Sequence, residues 1–304
     1  MPFYNSVRLQ AAIIFRATPP FDSLPSPALP QLPPRASASH KGDYGSGLLI
    51  GGARGMTGAI GLAGLSALRG GAGWVRLAVA DRCLETVAAY SPCLMTIPLI
   101  DDDQGRIALA SWESLATQLS HASCVAVGPG LGQSLDLQRL VGRIVQHTRC
   151  PLVIDADGLN NLAQLCDPFA DCHTPLVITP HPGEWSRLCG VSASDHLGQC
   201  QAAVDFARSF SAVVVLKGEY TLVTDGQTAV WNDTGTPAMA IAGSGDVLTG
   251  LIAALICQGL EPRDAAHLAV HVHGRAAENA QQKLRSHVVL PTELIDHLAP
   301  LLAG

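Results

Sequence analysis

The stretch Cys124-Val125-Ala126-Val127-Gly128-Pro129-Gly130-Leu131-Gly132-Gln133-Ser134 decides the fold class. Four consecutive apolar residues suit a strand buried on both faces, and glycines at alternate positions let the following backbone turn tightly and approach a ligand. Ser134 is placed to cap a helix over the next thirteen residues, 135–147. A dinucleotide fingerprint would read G-x-G-x-x-G, whereas this segment reads G-x-G-x-G, so a plain strand-to-helix turn is the alternative. The same unit recurs in both directions. Short apolar runs stand at 48–50, 75–79, 152–154, 176–178 and 213–216, each closed by glycine, proline or a polar turn. Helix-length segments such as 135–147 and 194–210 separate several of them. This alternation predicts an α/β domain with a mainly parallel central sheet covered on both faces. Thr221 to Thr224, Asp225-Gly226 and Thr228 to Trp231 read as a hairpin added to it. Residues 243–279 read as helical, with Pro262 opening a second helix.

Composition narrows the class. The chain has 304 residues, a formal charge of −6, 48% hydrophobic and only 14% charged residues. Its apolar content is ample for a core, which excludes disorder. Three lysines and a negative balance argue against nucleic acid as a partner. The two most apolar stretches, 45–75 and 238–260, are interrupted by Arg54, Arg69 and Asp246, so no membrane span or membrane partner is expected. The apolar run at Ala11 to Phe15 is too short for a secretory signal. Seven prolines between Pro19 and Pro34 forbid regular structure, which predicts a proline-rich arm over 1–39 and one catalytic domain over 40–304. Nine cysteines without a Cys-x-x-Cys pair read as reduced, buried thiols of a cytoplasmic protein. A zinc site at Cys166, Cys172 and His173 is the weaker alternative, because the spacing fits no common pattern.

In such sheets ligands sit where strands end and helices begin. Asp155-Ala156-Asp157-Gly158-Leu159-Asn160 offers two carboxylates and an amide for a metal or sugar hydroxyl, or a helix cap. Thr179-Pro180-His181-Pro182-Gly183-Glu184 fixes His181 between prolines, with Glu184 in a helix's first turn. The densest segment is Asn232 to Gly250, where Gly243-Ser244-Gly245 directly precedes an apolar helix. Free amides there form an anion site for a transferring phosphoryl group. Asp246 beside it can take a proton from an attacking hydroxyl, the plain alternative being a helix cap. No Walker A motif exists, but Lys217-Gly218 follows a strand and suits a nucleotide contact. Lys41 is a second glycine-flanked lysine, and Lys283 reads as a surface charge. His271 and His273 point to different sides of a helix, so they read as packing rather than a metal pair, with His273 toward the site as an open question.

Together these segments carry a resemblance. The chain resembles the ADP-dependent NAD(P)H-hydrate dehydratases of the ribokinase-like superfamily over about residues 38 to 300. The matching motifs are His40 to Gly45, Gly55-Met56-Thr57-Gly58-Ala59, Arg69 to Gly73, Gly128 to Gly132, Asp155 to Asn160, Thr179 to Glu184, Lys217-Gly218, Gly243 to Gly250 and His273-Gly274. The resemblance implies a three-layer αβα sandwich. It also implies repair of NADH or NADPH that has gained water: the ring hydroxyl is phosphorylated by ADP and phosphate is then eliminated. It implies that Ala59, Gly132, His181 and Asp246 contact the hydrated cofactor. Lys217, Gly218, Glu219, Tyr220, Thr221, Gly243, Ser244 and Gly245 would then hold the adenine nucleotide. Asp246 would be the base and Mg2+ would bridge phosphates, while no residue is assigned as a metal ligand. The chain departs from the family's N-P-G-M-A-T-G at Thr236, Ala238, Ile241 and Ala242, which leaves ADP against ATP open. Forty mostly proline-rich N-terminal residues cannot hold the epimerase domain fused to some relatives. A separately encoded NAD(P)H-hydrate epimerase is therefore an expected functional partner, and a homo-oligomer is expected. The competing readings are a ribokinase-like small-molecule kinase acting on a sugar or vitamin precursor, and a nucleotide-sensing protein without catalysis.

Overall fold

Alternate residues along each strand pack into two different cores, and that alternation makes the layers. The computed structural model describes residues 20–303. Nine strands run in chain order: β1 Ser46–Ile50, β2 Trp74–Ala80, β3 Met95–Leu99, β4 Cys124–Val127, β5 Leu152–Ile154, β6 Leu176–Ile178, β7 Ala212–Leu216, β8 Thr221–Thr224 and β9 Ala229–Asn232. They form one sheet in the order β3-β2-β1-β4-β5-β6-β7-β8-β9. Pairing is parallel from β3 through β7 and antiparallel for β7-β8-β9.

The helices of use here are α1 Thr57–Arg69, α2 Leu84–Ala88, α3 Trp112–Leu119, α4 Leu135–His147, α5 Ala156–Leu162, α6 Pro182–Cys189, α7 His196–Phe210, α8 Ser244–Cys257 and α9 Pro262–Leu284. Leu49, Leu77, Ala126, Val153, Val177 and Val215 share one core with α1, α8 and α9. Leu48, Ile50, Ala78, Val125, Ile154 and Val214 share the other with α4, α5, α6 and α7. The result is the ribokinase-like three-layer αβα sandwich. Helix α8 is apolar all round and nearly wholly buried. It lies so close to α1 that a Cβ at Gly250 would collide with the Ala63 carbonyl oxygen.

The expected strands are present, with one addition. The edge strand β3 reads poorly in sequence because Met95 is exposed and Pro98 interrupts the run. An edge strand tolerates both, since one side needs no ladder partner.

Of the proline-rich arm, residues 1–19 lie outside the described residues, as does Gly304. Residues 20–39 form one short 3-10 turn, Phe21–Ser23, and a turn closed by the Ser39 amide on the Ala36 carbonyl, with no regular helix or strand between them. The Pro25 carbonyl accepts from the Ala229 amide at 3.1 Å, and Phe21 meets the Trp231 ring edge-on at 5.9 Å, so the segment covers part of the open β9 edge.

Cys83, Cys124, Cys189, Cys200 and Cys257 are buried, and burial pushes the Cys189 and Cys200 thiols up to about 11. Cys93 and Cys166 are exposed, contrary to the expectation of uniformly buried thiols. Among the described residues no group of His, Cys, Asp or Glu is arranged to hold a metal, which removes the zinc reading. No helix among them is long and apolar enough to cross a membrane.

Candidate active site

The chain moves from β1 out to β2 and β3, then returns to pair β4 on the other side of β1. Strand order therefore reverses between β1 and β4, and a crevice opens beyond their carboxyl ends. The loops flanking it are laced together: the Gly52 amide donates to the Pro129 carbonyl at 3.0 Å, and the Ala53 amide to the Gly130 carbonyl at 2.6 Å. Ala59, in the first turn of α1, stands against Gly130, where a Cβ would come within 3.1 Å of its own.

Gly132 is held from below. Its amide donates to Asp157 Oδ2 at 2.9 Å, and its carbonyl accepts from Asn161 Nδ2 at 2.8 Å. Ser134 caps α4, accepting the Leu137 amide at 3.1 Å. The two carboxylates after β5 thus have different tasks. Asp157 orders the Gly132 loop, whereas Asp155 turns toward the start of α8. Asp155 occupies the N-cap position of α5 without capping it through its side chain.

At the start of α8 the backbone of Gly243 has φ +100°, a conformation that favours glycine. The Ser244 amide bends back to the Ile241 carbonyl at 3.3 Å, while those of Gly243, Gly245 and Asp246 have no acceptor among the described residues. The open donors are therefore slightly displaced from the expected 243–245 set.

Facing them is a buried charge cluster. Lys217 Nζ, just beyond β7, donates to Asp155 Oδ1 at 2.7 Å and lies 3.9 Å from Glu184 Oε2. Thr249, one turn along α8 from Asp246, donates to Asp155 Oδ2 at 2.6 Å. A Cβ at Gly245 would stand 3.4 Å from Lys217 Nζ, so the absent side chain keeps the ammonium close to the helix start. Burial alone would pull the Lys217 ammonium down, but Asp155 and Glu184 outweigh it and hold it above its ordinary value.

Asp246 sits three residues into this helix without a side-chain partner among the described residues. Burial, then the negative charge of Asp155, pushes its carboxyl up to about 7, with Lys217 pulling the other way. A carboxyl so placed exchanges its proton near neutrality, which suits a base.

His181 begins α6, with Pro182 in the first turn. Its Nδ1 accepts the Gly183 and Glu184 amides at 3.0 and 3.3 Å, so Nε2 carries the ring proton. The His181 amide donates to Glu184 Oε2 at 2.8 Å, completing the cap. Burial lowers the imidazole below its ordinary value, leaving it neutral near pH 7 with half its side chain exposed. Beyond Lys217, Gly218, Glu219 and Tyr220 form an exposed turn, closed by Thr221 Oγ1 donating to the Gly218 carbonyl at 3.2 Å.

Lys41 is elsewhere. It stacks on the Trp74 ring at 3.8 Å, beside the amino ends of β1 and β2 and so at the opposite edge of the sheet.

The profile of the NAD(P)H-hydrate dehydratases matches residues 47–300. The chain belongs to the NAD(P)H-hydrate dehydratase family. It is 33% identical over 271 residues to the ADP-dependent (S)-NAD(P)H-hydrate dehydratase of Bacillus subtilis, covering 88% of this chain and 92% of that protein. It is 40% identical over 271 residues to the bifunctional NAD(P)H-hydrate repair enzyme Nnr of Moorella thermoacetica, covering 88% of this chain but 51% of that protein. The chain thus spans about half the length of the bifunctional relatives it matches. Among solved structures, an ADP/ATP-dependent NAD(P)H-hydrate dehydratase from B. subtilis, co-crystallised with ATP/Mg2+, superposes with a TM-score of 0.77 at 30% identity. That match covers 99% of this chain and 97% of the other.

Around this cluster the sequence reading missed Thr249 and left Glu184 and His273 without a settled place. Thr249 shares a helix face with Asp246 at i,i+3, a spacing that could have revealed it. Glu184 was visible only as a first-turn acid. His273 is buried and its Nε2 donates to the Ser244 carbonyl at 2.9 Å, which answers the open question of where it faces. Burial pushes His273 down to about 4 from an ordinary 6.5. Between those values the unfolded chain binds the proton and the folded chain does not, so stability falls as pH drops from about 6.5 toward 4. His273→Gln should flatten that part of the profile, read as a smaller difference between urea midpoints at pH 7 and pH 5.

Proposed function

We propose that this chain restores hydrated NADH or NADPH to NADH or NADPH, consuming ADP and releasing AMP and phosphate. The observation that carries the reading is Asp246, an unpartnered carboxyl poised near neutrality beside open helix-start amides and the Lys217 ammonium. Asp246 takes the proton of the ring hydroxyl as its oxygen attacks the terminal phosphorus of ADP, and AMP departs. The amides of Gly243, Gly245 and Asp246 bind the developing charge on the phosphoryl oxygens. Lys217 and the turn from Gly218 through Glu219 and Tyr220 to Thr221 hold the nucleotide, with Ser244 supporting the helix start. The ring nitrogen's lone pair then expels phosphate, and the neighbouring ring carbon gives up a proton as the double bond returns. Ala59, Gly132 and neutral His181 line the crevice for the nicotinamide end.

The chain itself offers no cage for magnesium, since no group of three or more suitable side chains lies together among the described residues. Asp155, the most buried acid at the site, is already occupied by Lys217 and Thr249. A magnesium ion in this reading travels with the nucleotide phosphates and keeps several waters, as this small cation commonly does. ATP in place of ADP, a cytoplasmic location, a homo-oligomer and an NAD(P)H-hydrate epimerase as functional partner belong to the same proposal.

Purified protein mixed with hydrated NADH and ADP should regain absorbance at the NADH band, with AMP and phosphate formed in equal amounts. Recovery that ignores ADP would reject the proposal. A stable phosphorylated product would instead favour a small-molecule kinase.

A further inference from the structure

A dinucleotide substrate brings phosphates into a site crowded with acids. The charges of Asp155, Asp157 and Glu184 all reach Asp246, and Lys217 is already bound to Asp155. The crevice therefore needs another cation for the phosphates that the nicotinamide end drags behind it.

The arginines around the crevice are not equivalent. Arg82 Nε donates to Asp101 Oδ2 at 2.5 Å. Arg106 is clasped by Asp102, with Nε to Oδ2 at 2.8 Å, and donates to the Gln133 carbonyl at 2.9 Å. Arg187 donates to Asn160 Oδ1 at 2.9 Å. Arg54 alone of these four has no side-chain hydrogen bond or ion pair among the described residues, and it is exposed.

Its backbone and the root of its side chain are nevertheless held. The Arg54 amide donates to the Gly105 carbonyl at 2.9 Å, and its side chain lies across Gly105, where an added Cβ would stand 2.6 Å from Arg54 Cβ. The preceding Ala53 is tied to Gly130, and Met56, two residues on, abuts Gly132. Arg54 thus belongs to the β1–α1 loop, which flanks the crevice and is tied to the Gly130 loop through Ala53. Its guanidinium is exposed and unpaired among the described residues, of the kind that binds phosphate through forked donors.

We propose that Arg54 is the cationic contact for a phosphate of the hydrated dinucleotide. The inference rests on the dehydratase reading above. The phosphate is either in the pyrophosphate bridge, common to both cofactors, or the 2′-phosphate found only in the NADP form.

Steady-state repair by Arg54→Gln, Arg54→Lys and Lys283→Gln, each on both hydrated cofactors, tests it. Arg54→Gln should raise KM about tenfold with kcat and the KM for ADP unchanged, as expected for a lost charge-assisted contact made outside the reacting centre. A rise for both cofactors assigns the pyrophosphate, and a rise for hydrated NADPH alone assigns the 2′-phosphate. Arg54→Lys should recover part of the loss. Lys283→Gln makes the same change in net charge at the exposed carboxyl end of α9, well beyond His273, and should leave KM unaltered.

An unchanged KM in Arg54→Gln for both cofactors, or an equal rise in Lys283→Gln, overturns the proposal while leaving the dehydratase reading intact. Calorimetric binding of hydrated NADPH and of NADPH to wild type and Arg54→Gln separates the two readings. Weaker binding by the variant supports Arg54 even if wild type fails to repair the cofactor. Equal binding rejects it, and no binding or turnover by wild type rejects both.

Discussion

Asp246→Asn is expected to lower kcat about a thousandfold while ADP still binds, the scale typical of removing a positioned general base. The substitution keeps the shape of the first turn of α8 and leaves the amides of Gly243 and Gly245 in place. What it removes is the group proposed to accept the hydroxyl proton. Losing a negative charge beside the phosphates should leave ADP affinity unchanged or slightly tighter, which a calorimetric titration reads directly. The wild-type pH profile supplies the second check. Because burial and Asp155 hold the Asp246 carboxyl near 7, kcat/KM should rise with pH through about 7 as the base form appears. In Asp246→Asn that limb should vanish, leaving a flat residual rate. A variant within tenfold of wild type, or one that keeps the limb near 7, would show that another group takes the proton.

Much of this site could be read from the chain because its chemistry is concentrated in short local segments. The glycine turn after β4, the prolines flanking His181 and the Gly-Ser-Gly-Asp start of α8 each announce themselves within a few residues. The contacts that connect those segments could not be read in the same way. Asp155 and Lys217 lie 62 positions apart and Asp155 and Thr249 lie 94 apart, and only the order of strands in the sheet brings them together. The two acids after β5 looked interchangeable in sequence. A difference of two residues sends Asp157 under the Gly132 loop and Asp155 toward α8. Lys41 differs for the converse reason: its glycine-flanked setting grouped it with Lys217 in sequence. The parallel sheet places it at the amino ends of the strands, where its charge rests on Trp74. Edge strand β3 escaped because exposure removes the continuous apolar run by which the central strands are recognised.

Asp155→Asn should separate a residue that sets the base from one that only supports the fold. Asp155 is almost wholly buried and receives two hydrogen bonds, from Lys217 and Thr249. An asparagine keeps the volume and can still accept from Thr249, but it no longer neutralises Lys217. Breaking one side of a buried ion pair costs about 3–5 kcal/mol, and the lower end applies here because Glu184 remains 3.9 Å from the ammonium. Denaturant unfolding reads that loss. A scaffold residue would stop there, lowering the rate at every pH through lost structure. Asp155 does more, because burial first and then its negative charge raise the proton affinity of Asp246, with Lys217 acting against them. In the variant the negative neighbour is gone and Lys217 acts unopposed, so the acidic limb of kcat/KM should move below 7. The plateau above it should fall about tenfold or more, since the ammonium proposed to hold the nucleotide has lost its anchor. Adding Lys217→Met to Asp155→Asn should then restore part of the stability without restoring the rate. A lowered plateau with the limb still near 7 would reduce Asp155 to a structural support.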